Sequence, residues 1–254
     1  MTAFRAFVAK EFRETRKTWR LWVVPGVLVF LGLTSPVLAA VTPALLRATA
    51  GQSPGVVIEV PTPVARDAYV QFLGDLMQIV LLVVIITTGA AVAAERRAGT
   101  DVLMLTKPLT RDAFILAKTV SGVMLLAVAT AIGAAVCVVG TVLLFDASHV
   151  AAFAASVGLW LALATMFTAL MVLLSAATLR QGSAAGAGVT VWVALFAMTA
   201  FPLLRDHSPA GLMAAGDELL MGRDVALAWP LGTTLAIAAL CVAGAVAVFR
   251  RKEL

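Results

Sequence analysis

The histidines and carboxylates at the ends of the apolar segments are the first residues that could carry chemistry. His149 and His207 are the two histidines of the chain, and Asp146 and Asp206 lie close to them in sequence. An imidazole beside a carboxylate can ligate a metal ion, but polar side chains are also common where helices leave a membrane. The chain has no His-Glu-x-x-His and no cysteine and histidine cluster, which are zinc-enzyme motifs. We therefore expect no catalytic residue, no metal site and no bound cofactor.

A phosphate-binding loop of the form Gly-x-x-x-x-Gly-Lys-[Ser/Thr] is also absent from the sequence. That loop cradles nucleotide phosphates with its backbone amides. The chain is therefore not expected to hydrolyse ATP by that route, and an ATP-driven role would require a separate subunit.

Two polar residues, Asp75 and Gln78, lie about one helical turn apart in an otherwise apolar stretch. A charge near the centre of a bilayer costs ~2.5–3.5 kcal/mol on insertion scales and usually faces protein or water. The pair could line a substrate path, or it could lie at the outer headgroup level, where a charge costs little. The sequence leaves both environments open.

The elements that hold these residues are apolar helices. The chain has 254 residues, of which 61% are hydrophobic and 13% charged, whereas a soluble domain has about a quarter charged residues. Apolar blocks near the ~20 residues that span a bilayer predict helices, because lipid offers the backbone no partner. We expect one all-α integral membrane domain, 1–254, with six transmembrane helices at about 21–41, 72–94, 119–144, 151–176, 184–204 and 230–249.

The distribution of basic residues predicts the orientation. Fifteen of the 19 lysines and arginines fall on the side that holds the N-terminus, and the others are Arg47, Arg66, Arg205 and Arg223. Loops on the cytosolic side carry the excess of Lys and Arg, so both termini are predicted to be cytosolic in a multi-pass protein of the cell membrane. The basic residues are scattered over loops without interleaved aromatics, so we expect no nucleic acid partner.

The first 20 residues have the pattern of an amphipathic helix. Phe4, Phe7, Val8 and Phe12 recur at helical spacing, with basic residues between them. This pattern favours a helix at 1–20 in the membrane interface. A cytosolic continuation of the first span is the alternative.

A short apolar piece is isolated within the basic loop 95–118. Gly99 can end the preceding helix, Thr100 can cap a new one, and Pro108 ends it. Leu103 and Leu105 lie between these breaks. A helix this short in a charged loop needs another surface on which to bury its apolar side chains.

At these positions the chain resembles the permease subunits of ABC-2 type ABC transporters. The resemblance rests on Glu95, Gly99, Thr100, Leu103, Leu105, Pro108, Arg111 and Lys118. It implies that 95–118 is the cytosolic coupling loop that docks on an ABC ATP-binding subunit, present in two copies that bind ATP and Mg. It also implies a second permease copy or a paralogue. Asp101 departs from the pattern, since an aliphatic residue is more usual there.

Two further features have two interpretations each. Gly182 and Gly186 have the spacing that lets helices approach closely, either within one subunit or at a dimer contact. The stretch 205–229 contains glycines, a proline and apolar residues, which favour short helices that dip toward the membrane over a plain surface loop.

Together these patterns predict the membrane-spanning permease subunit of an ATP-driven transporter, which is not itself an enzyme. The apolar bundle favours export of a hydrophobic or amphipathic substrate. A membrane anchor or scaffold that moves no solute is the alternative.

Overall fold

The computed structural model describes residues 20–50, 62–89, 111–178 and 181–251, and all regular secondary structure in these ranges is helical. The predicted helix at 1–20 and most of loop 95–118 lie outside the described residues. The helices are α1 (Arg20–Ala50), α2 (Ala65–Asp75), a π-helical segment (Leu76–Val80), α3 (Leu81–Thr88), α4 (Arg111–Leu144), α5 (Val150–Ala177), α6 (Gln181–Met198), α7 (Pro202–His207), α8 (Gly211–Leu220) and α9 (Ala228–Arg251).

Five segments are long and apolar enough to cross a membrane. They are Trp22–Ala48, Ala65–Thr88, Asp112–Leu144, Val150–Ala177 and Ala228–Arg251. Large apolar side chains on their outer faces, such as Trp22, Leu143 and Leu240, are exposed. Contiguous exposed apolar surface is unusual on soluble proteins and is the surface that a helix presents to lipid.

The helix ends differ from the predicted spans where local chemistry overrides hydropathy. Helix α1 continues to Ala50, well beyond the predicted end at 41. Helix α6 ends at Met198 rather than 204, and Phe201 is extended with φ −108° and ψ 110°. Pro202 forces this conformation, because a residue before proline is pushed out of the helical region. The six-span arrangement therefore depends on α6, which has 18 residues.

Helix α2 begins ahead of the predicted second span, 72–94. Its first residue is Ala65, and the backbone N–H of Val64 donates to Asp67 Oδ2 at 3.0 Å. The carboxylate in the first turn satisfies an amide that the helix leaves without a partner.

The interior of the bundle is built around α5. Trp160 and Phe167 of this helix are fully buried, and Phe153 is nearly so. The Phe153 ring stacks on Tyr69 of α2 with centroids 4.4 Å apart. Helix α5 contacts α3, α4, α6, α8 and α9, so it links the two ends of the bundle.

Helices α1 and α4 pack closely through glycine. A Cβ atom placed on Gly133 would lie 2.8 Å from the carbonyl oxygen of Leu28 and 2.9 Å from its Cβ. Gly32 of α1 faces the Gly133 backbone with equally little space. Small residues at a crossing let two backbones approach, which increases van der Waals contact between membrane helices.

Candidate functional site

Asp75 faces helix α1. It is the last residue of α2, and its Oδ2 lies 3.2 Å from the hydroxyl oxygen of Ser35, which is fully buried. The Gln71 side-chain amide donates to Asp75 Oδ1 at 3.4 Å. The carboxylate is therefore held in a small polar cluster that joins α1 to α2.

Gln78 faces a different region, a cavity of about 260 Å³. The wall of this cavity comes from α2, the π-helical segment, α5, α6 and α8, and it includes Met77, Gln78, Trp192, Phe196, Met213 and Asp217. Asp75 is not among the residues that line it. The structure thus separates the two polar residues that the sequence suggested as a pair.

The π-helical segment explains this separation. The amide of Leu81 donates to the carbonyl of Leu76, five residues earlier, so this turn contains more residues than an α-helical turn. The wider turn increases the angle between Asp75 and Gln78 around the helix axis. The Trp192 indole N–H donates to the carbonyl oxygen of Met77 at 3.2 Å, which fixes α6 against this turn.

Helix α8 closes one side of the cavity. The Ser156 hydroxyl oxygen of α5 lies 3.0 Å from the carbonyl oxygen of Gly216, and both residues are buried. Asp217 follows directly and contributes to the cavity wall. Burial raises the pKa of Asp217 from its ordinary value, and the neighbouring Glu218 charge raises it further.

The sequence predicts short helices in 205–229 that dip toward the membrane; α8 and the end of α7 lie in this stretch, and their depth in the membrane stays a prediction. Asp217 is not among the predicted site residues. The available signal was the spacing of Leu212, Ala215, Gly216 and Leu220, which are the buried residues of α8. A carboxylate directly beside that buried stripe has to lie at its edge.

The opposite end of the bundle contains a second group of contacts, which we call the α4–α9 clamp and define as Asp112, Phe114, Phe249 and Arg250. Arg250 Nε donates to Asp112 Oδ1 at 2.7 Å, and Arg250 Nη2 contacts Asp112 Oδ2. The Phe114 and Phe249 rings stack with centroids 5.2 Å apart. Buried residues of α5, Val172 and Ala176, pack in the same cluster.

The clamp adjoins the end of the predicted coupling loop. Glu95, Gly99, Thr100, Leu103, Leu105 and Pro108 lie outside the described residues. Arg111 is the first residue of α4. Lys118 is buried, and its Nζ lies 5.2 Å from the centroid of the Phe114 ring. The long apolar part of the side chain permits this burial, and the aromatic ring attracts the ammonium group.

Gly182 and Gly186 lie on an exposed face of α6. A Cβ atom on either glycine would meet nothing within 4 Å. Gly188 faces inward instead, where a Cβ would lie 2.9 Å from Ile85 Cγ2 and would also contact Met171. In the described part of the chain the first two glycines thus take no part in helix packing, and a contact with a second subunit stays a prediction.

The histidines make local contacts. His149 Nδ1 lies 2.9 Å from Ser148 Oγ, and His207 Nδ1 lies 3.0 Å from the carbonyl oxygen of Leu203. Among the residues that the structure describes, no three His, Cys, Asp or Glu side chains are grouped so that they could hold a metal ion.

Comparison with known proteins identifies the family. The family described as ABC-2 family transporter protein matches residues 5–254. An uncharacterized transmembrane protein of Bacillus subtilis (strain 168), YxlG, is 26% identical over 257 residues, which cover 100% of this chain and 99% of that protein. The family match extends over almost all of the chain, and the apolar helices fit a protein that crosses the membrane several times. This chain therefore belongs to the ABC-2 family of transporter proteins and is a multi-pass membrane protein of the permease type.

Proposed function

We propose that this chain is the membrane-spanning permease subunit of an ATP-driven transporter that exports a hydrophobic or amphipathic substrate across the cell membrane. Two ABC ATP-binding subunits bind ATP and Mg, and a second permease copy or a paralogue completes the complex. Helix α6 provides the sixth span: its 18 residues give ~27 Å of helix, close to the ~30 Å of a bilayer core. Both termini then lie in the cytosol.

The observation that carries this proposal is the α4–α9 clamp. Residues 111–118 at the end of the predicted loop form the first turns of α4, and these turns are fixed to the end of α9 by Asp112–Arg250 and Phe114–Phe249. A force on the loop would therefore act on two helices together. A loop that ended in a loosely packed helix would not transmit such a force.

Helix α5 supplies the path from the clamp to the cavity. Its residues Val172 and Ala176 pack in the clamp cluster, and Ser156 contacts α8 at the cavity. Closure of the ATP-binding subunits would move the loop, the clamp and α5 in turn, and would change the shape of the cavity.

The exposed face of α6 supports the second permease copy. Gly182 and Gly186 meet nothing in the described part of this chain, and small residues on an outer face let another helix approach closely. In this arrangement α6 lies at the subunit contact.

The test is co-purification of the ATP-binding subunit with the solubilised permease. The substitutions Leu103→Glu and Leu105→Glu, made together, place two carboxylates in the docking surface. Burying an unpaired charge there costs several kcal/mol, so the ATP-binding subunit should be lost while the permease still elutes as a folded protein. The matched control, Leu103→Met with Leu105→Met, keeps an apolar surface and should retain the partner. Equal recovery with the glutamate and methionine variants would overturn the docking proposal.

A second measurement separates a transporter from a membrane anchor. The intact complex should hydrolyse ATP faster when the transported substrate is added, because substrate in the cavity favours the closed state. An anchor would bind the ATP-binding subunit without any such stimulation by small molecules.

A further inference from the structure

We propose that the cavity lined by Gln78, Trp192 and Asp217 binds the cationic head group of an amphipathic molecule. The inference rests on the proposed function, since this molecule would be the transported substrate, and it adds the charge and the binding residues.

Asp217 supplies the negative charge. Within the described ranges no side chain forms a hydrogen bond or an ion pair with its carboxylate. The next carboxylate, Glu218, differs: its Oε1 lies 3.6 Å from Arg205 Nη1, and Glu218 is not part of this cavity wall. Partial burial and the Glu218 charge both disfavour the ionised form of Asp217. A bound cation would stabilise the ionised carboxylate and offset these two effects.

The rest of the wall suits an organic cation better than a metal ion. Trp192 and Phe196 offer aromatic rings, and Met77 and Met213 offer polarisable thioethers. Aromatic rings attract ammonium groups through their electron-rich faces, and methionine adapts to irregular apolar ligands. Metal sites for hard cations need several oxygen ligands at fixed distances, whereas Asp217 is the one carboxylate among the described residues that line this cavity.

The size of the cavity fits a head group rather than a whole amphiphile. Its volume of about 260 Å³ lies just below the ~300–1,000 Å³ of small-molecule sites. Phe196 lines the cavity and is also 60% exposed, so the apolar wall continues onto the outer surface of α6. An apolar tail can follow that surface into the lipid while the charged group stays beside Asp217.

The charges at this end of the molecule favour a cation as well. The described stretch 202–227, which contains α7 and α8, carries two arginines and four carboxylates, which are Asp206, Asp217, Glu218 and Asp224. A surface with an excess of negative charge attracts cations and repels anions over several ångströms. A negatively charged amphiphile would meet this repulsion before reaching Asp217.

The experiment measures binding of radiolabelled benzyltrimethylammonium to the purified full-length permease by equilibrium dialysis. Benzenesulfonate is the comparison probe, since it has a similar aromatic body and the opposite charge. We expect saturable binding of the cation, at least tenfold weaker binding to Asp217→Asn, and retained binding to Asp217→Glu. Asp224→Asn is the matched control, because it removes the same charge at the same end outside the cavity, and it should bind as the wild type does.

A second measurement covers the case in which Asp217→Asn does not fold. Ala214 lines the cavity, and the native cysteines, Cys137 and Cys241, are buried. Benzyltrimethylammonium should slow thiol labelling of an Ala214→Cys variant, and benzenesulfonate should not. The inference is overturned if the wild type binds no cation, if Asp217→Asn binds it equally, or if both probes protect Cys at 214 alike. The assay contains no ATP-binding subunit, so its failure would leave the docking proposal intact.

Discussion

Arg250 contacts the Asp112 carboxylate through two nitrogen atoms and so joins the end of α9 to the first turn of α4, although the residues are 138 positions apart in the chain. The side chains are 61% and 33% exposed, and exposed ion pairs contribute little to stability. A two-point contact does fix the relative orientation of the two groups. We therefore expect the pair to affect how the two helices move together more than whether the protein folds.

The first prediction concerns this ion pair. Asp112→Asn should leave the ATP-binding subunit bound but reduce the stimulation of ATP hydrolysis by substrate, because α4 can then move without α9. The charge-swapped double variant, Asp112→Arg with Arg250→Asp, should recover part of the stimulation. Arg251→Gln is the control, since it removes a neighbouring charge outside the pair. Wild-type stimulation in Asp112→Asn would show that the pair plays no part in coupling.

The second prediction concerns the crossing of α1 and α4. Gly133→Ala should destabilise the protein by about 1–3 kcal/mol, the usual cost of forcing an extra group into a well-packed interior. Thermal unfolding of the solubilised protein measures the effect. Gly158→Ala is the matched control, because a Cβ there would meet nothing within 4 Å. Equal melting temperatures for the two variants would contradict the close crossing.

These glycines show what the sequence can and cannot predict. Hydropathy identifies the helices, because each apolar block has to span the membrane or be buried in the protein. Five of the predicted spans correspond to helices that are long enough to cross a membrane. Glycine spacing along one helix, however, does not identify the helix that approaches it. Gly182 and Gly186 have the expected spacing, yet the close crossing lies at Gly32 and Gly133, which are distant in sequence.

The functional residues were harder to predict for a related reason. Asp75 and Gln78 were paired on the assumption of an α-helix, and the π-helical turn places them in different surroundings. Asp217 is a candidate site residue only because α5, α6 and the π-helical segment line the same cavity. These elements are distant from Asp217 in sequence. The coupling loop is predicted from the breaks and the apolar residues of its own sequence, and it stays a prediction because most of it lies outside the described residues.

The third prediction concerns pH and the turn between α4 and α5. The Ser148 side chain and the Ser148 amide, which donates to Asp146 Oδ1 at 2.7 Å, lower the pKa of Asp146, and the His149 charge adds to this. A lowered folded-state pKa stabilises the fold above the unfolded value of about 3.9 and loses that effect as the pH falls through the folded value. Asp146→Asn should therefore lower the melting temperature near neutral pH, and the difference should shrink below about pH 4. If the melting temperatures of Asp146→Asn and the wild type differ by the same amount at every pH, this account is contradicted.

The fourth prediction concerns orientation. Single cysteines at Ala50 and Ala214 should react with a membrane-impermeant thiol reagent in intact cells, and one at Ala98 should react only after permeabilisation. The excess of lysine and arginine on the N-terminal side motivates this expectation. Labelling of the native cysteines should be low, because Cys137 and Cys241 are buried. Labelling at Ala98 in intact cells would reverse the proposed topology.

The fifth prediction separates the roles of Asp75 and Gln78. Asp75→Leu should lower the stability by about 1 kcal/mol, the typical net value of a hydrogen bond, because Ser35 and Gln71 lose their shared partner. Gln78→Leu should leave the melting temperature unchanged and weaken the stimulation of ATP hydrolysis by substrate, because Gln78 lines the cavity and has no described hydrogen bond to lose. Asp75→Asn keeps a carbonyl oxygen as an acceptor, so its melting temperature should lie closer to that of the wild type than the melting temperature of Asp75→Leu does. If Gln78→Leu destabilises the protein while Asp75→Leu changes only the stimulation, the two assignments are reversed. If both variants behave as the wild type, the residues lie at the outer headgroup level without a role in transport.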